Sequence, residues 1–125
     1  MPDYQVVPGP VHIHPFASVV ASDDLIFVTG VAFPAATVTE QTRGTYLEIQ
    51  RLLEEVGSSL SEIVFIRQTV TDRAYIDDVI AVSREFLPDP KPAAGTLMIT
   101  PLVHPDLMVE MEVIAQRGAR LLPPV

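Results

Sequence analysis

The chain has 125 residues, 48% of them apolar and only 6% aromatic, which suffices for one domain with a real core and not for two. Sixteen acids against eight bases give a formal charge of −8, and the bases are scattered singly. Neither a nucleic-acid backbone nor an anionic membrane finds the clustered Lys/Arg it requires, and with no cysteine both disulfide and thiolate chemistry are excluded.

The start, "MPDYQVVPGP", has neither the basic nor the apolar region of a signal peptide. No apolar run reaches the ~18 residues of a membrane span, so a cytoplasmic protein is expected. Pro8, Pro10 and Pro15 keep the first segment extended. "PFASVVASDDLIFVTG" reads as a hairpin: strand Phe16–Ala21, a turn at Ser22, Asp23 and Asp24, and strand Leu25–Thr29 closed by Gly30. "AFPAAT" is a loop. Thr37 and Glu40 have capping-box spacing, with Thr39 a second candidate cap, and the spacing predicts a helix to about Val56. Tyr46, Ile49, Leu53 and Val56 form its apolar stripe, Glu48, Arg51, Glu54 and Glu55 its polar side, and Gly57 its stop.

"IVFIRQTVT" (Ile63–Thr71) reads as a strand, followed by a helix from about Tyr75 to Phe86 with Ile76, Val79, Ile80 and Leu87 on its apolar face. Pro88, Pro90 and Pro92 end it. Two further strands, Gly95–Thr100 and Leu107–Gln116, precede an irregular tail, "RGARLLPPV". The order ββαβαββ predicts one α/β (α+β) domain over residues 1–125, a mixed sheet with both helices on one face. Yet "LIFV" and "IVFI" are apolar at consecutive positions, so both faces of the sheet must be dry. The face without helices is expected to pack on another copy of the chain.

Alternation in the last strand places Val109, Met111, Val113 and Ala115 toward the helices and Glu110, Glu112 and Ile114 on the other face. Val64, Ile66 and Val70 are expected to face the helices too, sending Phe65, Arg67, Thr69 and Thr71 to the side of the glutamates. An acid in an interface needs a partner. Two readings fit: an ion pair between Arg67 and a glutamate across the interface, or a ligand or water held by Glu110. His12 and His14 share one side of an extended segment, but no third ligand is near in sequence, so no metal is expected. His104 reads as a solvated turn residue. Ser18, Ser58 and Ser59 lie in no nucleophile elbow, and the glycines form no phosphate cradle.

These segments resemble the Rid family (reactive intermediate deaminases, also called YjgF). "PFAS" is similar to the family's Pro-Tyr-Ser segment and "LIFVTG" to its strand ending in Ser-Gly. "QTRGTYLEIQRLLEEVGSSLSEIV" is similar to its first helix and following turn, "TVTD" to its strand end and "VEMEVIA" to its closing signature. The resemblance covers nearly the whole chain. It implies a chorismate-mutase-like fold assembled into a barrel-like homotrimer, no cofactor, and a small-molecule cleft at each subunit interface.

The family's known chemistry is hydrolysis of enamines and imines such as 2-aminoacrylate to 2-oxo acids and ammonia. By resemblance Glu110 is the water-positioning acid–base residue. Phe16, Thr29, Gly30, Ala94, Gly95 and Thr96 fall at substrate-binding positions, and Arg67, placed by parity, joins them. Ala94, in "PAAGT", stands where deaminating members carry the arginine that binds the substrate carboxylate. A methyl group cannot replace a bidentate guanidinium, so 2-aminoacrylate turnover is expected to be weak. The loop from Gly30 to the first helix is shorter than the family's, lacking a small hairpin. Two functions follow: a diverged imine or enamine hydrolase using Glu110, or a non-catalytic trimer that binds a ligand or partner.

Overall fold

The computed structural model describes residues 3–9, 15–90, 92–94 and 97–125, with Ala94 described in its backbone only. Seven strands form one sheet: β1 (Gln5–Pro8), β2 (Ala17–Ala21), β3 (Leu25–Val31), β4 (Ile63–Val70), β5 (Ala93–Ala94), β6 (Met98–Ile99) and β7 (Val109–Gln116). Their order is β1-β2-β3-β7-β4-β5, with β6 also on β4. The last strand is thus inserted at the centre, antiparallel to both β3 and β4, while β5 and β6 run parallel to β4. Helices α1 (Val38–Glu55) and α2 (Ile76–Phe86) supply the crossovers and pack on each other and on one face.

Local chemistry sets the boundaries. The Thr37 side chain accepts the Glu40 amide at 3.2 Å and caps α1, and Gly57 leaves the helix at φ +79. Tyr46, Ile49, Leu53 and Val56 are all buried, as their spacing predicts. Asp72 caps a 3-10 turn (Arg73–Tyr75) that leads into α2. From the sheet, Val19, Ile26, Val28, Ile66, Val113 and Ala115 complete the core between sheet and helices.

Several expectations require correction. The N-terminal segment is not merely extended: it is an edge strand paired with β2. Within the expected strand Gly95–Thr100 only Met98–Ile99 pairs with β4, a second short strand, Ala93–Ala94, pairs there just before it, and Gly95 and Thr96 lie outside the described residues. The closing strand begins at Val109, since Met108 donates its amide to Gln41 Oε1 (2.8 Å) rather than to a ladder. A bulge between Ile63 and Phe65 puts Ile63, not Val64, into the core. On α2, Val82 is buried where Ile80 was expected, because Val79, Val82 and Phe86 follow the stripe that meets Tyr46.

The face without helices is apolar in a row that crosses five strands in register. Val6 stands opposite Val20, Val20 opposite Phe27, Phe27 opposite Ile114, and Ile114 opposite Phe65. Val6 is 56% and Phe27 40% exposed. Beside this row lie the two glutamates.

Candidate functional site

Strand β7 alternates as its sequence demands. Val109, Met111, Val113 and Ala115 are buried, while Glu110, Glu112 and Ile114 are half-buried on the open face. In the ladder to β4, Glu112 stands opposite Arg67 and Glu110 opposite Thr69. Arg67 donates through Nη1 to Glu112 Oε1 at 2.5 Å, and Thr29 Oγ1 donates to Glu112 Oε2 at 3.3 Å. The Arg67 guanidinium also lies 5.9 Å from the centre of the Phe65 ring. The ion pair expected across an interface is therefore made within one chain, and its acid is Glu112.

Opposite Glu112, β3 carries an extra residue. Val28 pairs with Val113 and Val31 with Met111, so Thr29 and Gly30 together face one position of β7. Gly30 has φ +69, a left-handed backbone that a side chain would strain. Nothing lies within 4 Å of a Cβ built there, so conformation and not space requires the glycine. The bulge turns Thr29 toward the glutamates.

Two adjoining cavities meet at this bulge. The larger, about 470 Å³, is lined by Phe16, Ser18, Thr29, Gly30, Val103 and Glu110 among others. The smaller, about 170 Å³, includes Arg67, Thr69, Met98, Glu110 and Glu112. Thr29, Gly30 and Glu110 belong to both. Phe16 precedes β2 and is 69% exposed. Ala94 pairs in register with Ile66 at the β5 edge, while Gly95 and Thr96 lie outside the described residues. So do His12 and His14; among the described residues no group of three or more potential ligands could hold a metal ion. His104 is exposed in the turn before β7.

Behind the site, a buried and a half-buried polar residue went unremarked in the sequence. Gln41, fully buried on α1, donates to the carbonyls of Ala35 (3.0 Å) and Asp106 (2.9 Å) and accepts from Met108. It ties down the short loop before α1 and the loop that brings Val103 to the larger cavity. Gln68 of β4 donates to Tyr46 Oη and Ser83 Oγ, both at 2.9 Å, and the Tyr46 hydroxyl donates to Ser83 at 2.7 Å. Burial pushes the Tyr46 hydroxyl up to about 12, against the pull of Ser83 and Gln68. Gln41 lies eight residues, a little over two helical turns, before Ile49 on the buried side of α1, and that position is the one sequence signal of its burial.

The residues 32–37 form no hairpin; Phe33 instead lies flat on α1, where a Cβ on Gly44 would meet its ring. The short loop therefore hugs the helix.

Comparison with known proteins gives the family. The sequence model described as Endoribonuclease L-PSP matches residues 8–117. The chain is similar to Protein mmf2, mitochondrial, of Schizosaccharomyces pombe: 37% identity over 112 residues, covering 81% of this chain and 86% of that protein. It is 24% identical to 3-aminoacrylate deaminase RutC of Acinetobacter baylyi, covering 92% of this chain and 98% of RutC. Among solved structures, Rv2704 of Mycobacterium tuberculosis, described as a member of the YjgF/YER057c/UK114 family, superposes with TM-score 0.84 at 24% identity. That match covers 91% of this chain and 99% of Rv2704 and shows a shared fold. No helix among the described residues is long and apolar enough to cross a membrane.

Proposed function

The chain belongs to the endoribonuclease L-PSP family, also known as YjgF/Rid, and we propose that it hydrolyses reactive imines or enamines with Glu110 as its acid–base residue. The observation that carries this reading is the place of Glu110. It is the acid shared by both cavities, half-buried, beside a bulge that presents Thr29 and Gly30 to the same space. The other acid, Glu112, is engaged by Arg67 and Thr29. The name of RutC, 3-aminoacrylate deaminase, supports hydrolytic removal of an amino group. A charge of −8 without clustered bases opposes RNA as substrate, whatever the family description says.

In the reaction, an enamine first takes a proton from solvent on carbon and becomes an iminium ion, the protonated form in which an imine also reacts. Water then adds to the imine carbon: oxygen bonds to carbon, the C=N pair moves to nitrogen, and Glu110 takes the proton that water loses. The carbinolamine collapses when Glu110 returns that proton to nitrogen: the C–N bond breaks as an oxygen lone pair forms the C=O bond, the hydroxyl proton passes to Glu110 and on to solvent, and a carbonyl compound and ammonia leave. Atoms and charge balance without a cofactor.

The assembly proposed with this chemistry is a homotrimer. Its support is the in-register row Val6–Val20–Phe27–Ile114–Phe65, which a monomer would leave in water. The open mouth of the larger cavity would then be closed by a neighbouring copy.

The test is ammonia release from imines generated in situ by a flavin amine oxidase or amino-acid oxidase. Acceleration over buffer by native protein, lost on heat denaturation, is expected. A folded protein that binds carbonyl compounds but accelerates no imine or enamine would show a ligand-binding trimer instead.

A further inference from the structure

We propose that the Arg67–Glu112 pair sets substrate class, so that the site takes imines and enamines carrying no carboxylate beside the reacting carbon. This rests on the hydrolase reading and names the substrate of the same site. Among the described residues lining the two cavities there is one base, Arg67, and there are two acids, Glu110 and Glu112. Arg67 is the group that would meet an anionic substrate. Its charge is already matched by Glu112, which stands directly opposite in the β4–β7 ladder and is itself held by Thr29. The guanidinium also lies over the Phe65 ring, 5.9 Å from its centre. An incoming carboxylate must therefore share Arg67 with Glu112 and lie close to its negative charge, a like-charge contact that builds discrimination against anions. The protein's overall charge of −8 acts in the same direction at long range.

A neutral imine meets no such penalty, and its protonated form, an iminium, is drawn toward the carboxylates. Imines of this kind arise when an amine oxidase acts on a primary amine. Oxidation of an α-amino acid gives the carboxylated kind. The first class of reaction is the one expected to feed this site.

Pyruvate and its neutral amide, pyruvamide, serve as carbonyl probes of the same size, with binding followed by titration NMR on the intact protein. Wild type is expected to bind pyruvate no more tightly than pyruvamide. Glu112→Gln keeps a hydrogen-bond acceptor but removes the charge that matches Arg67, so the ratio of pyruvate to pyruvamide affinity should rise by about tenfold or more. Adding Arg67→Met to that variant should remove the gain. A wild type that prefers pyruvate overturns the proposal, and so does a folded Glu112→Gln that gains nothing. Because binding needs no turnover, failure of the hydrolase reading would appear separately, as pyruvamide binding without accelerated imine hydrolysis.

Discussion

Arg67 and Glu112 face each other across the β4–β7 ladder and are joined at 2.5 Å, with side chains 44% and 36% exposed. At that exposure in a lone chain the pair is worth little, ~0–1 kcal/mol. Covered by a neighbouring copy, it becomes a desolvated pair whose disruption costs ~3–5 kcal/mol. Arg67→Met should therefore lower the melting temperature sharply, and Arg67→Met/Glu112→Gln should partly restore it. A double-mutant cycle that finds only the surface value would show that this face stays in water.

Light scattering at micromolar concentration should give about three times 13.7 kDa. Ile114→Asp, in the middle of the apolar row, should yield folded monomer, because an unpaired carboxylate cannot be buried there. A stable wild-type monomer would remove the intersubunit cleft.

Hydrolysis of 2-aminoacrylate should be weak. At the position where the resemblance puts the family's arginine, Ala94 can bring no charge to a substrate carboxylate, and a lost charge-assisted pair in a desolvated site costs ~2–5 kcal/mol, roughly 30- to several-thousand-fold. Ala94→Arg should raise that turnover. Native activity equal to that of arginine-containing relatives in a coupled aminoacrylate assay would mean that another group binds the carboxylate.

Tyr46 gives a pH dependence with a definite sign. Its hydroxyl titrates near 12 in the fold against 10.0 unperturbed, so the folded state favours the neutral form. Its contribution is fully present below pH 10 and is lost as pH rises toward 12, a fall of ~2–3 kcal/mol in unfolding free energy. Urea unfolding at stepped pH should show this slope, and Tyr46→Phe should lack it. The variant should cost ~1–2 kcal/mol at neutral pH, softened because Gln68 still reaches Ser83.

The elements with long periodic patterns were legible in the sequence. The α1 stripe and its Thr37 cap, the hairpin at Ser22 to Asp24, and the alternation that puts Glu110 and Glu112 on the open face all match the structure. Short pieces were not. β1 has four residues and β5 and β6 two each, and their pairing depends on a neighbouring strand rather than on their own pattern. The bulge at Ile63 to Phe65 shifted parity by one residue and displaced Val64, which no alternation rule reveals. Ladder register was also invisible, and it is register that gives Arg67 to Glu112. Gln41 and Gln68 lay hidden because buried amides read as surface residues until the elements they bond are in place.

Proton transfer by Glu110 in the cleft is tested most directly by comparing ammonia release by wild type and Glu110→Gln on a substrate the native protein hydrolyses. Glutamine keeps the shape and hydrogen-bonding capacity of the side chain but removes its basicity. Acid–base catalysis contributes roughly 10²–10⁴-fold, so turnover should fall by about that factor while light scattering still reports the trimer and melting temperature changes little. Unimpaired turnover by a folded Glu110→Gln trimer would contradict the account and take Glu110 out of the chemistry.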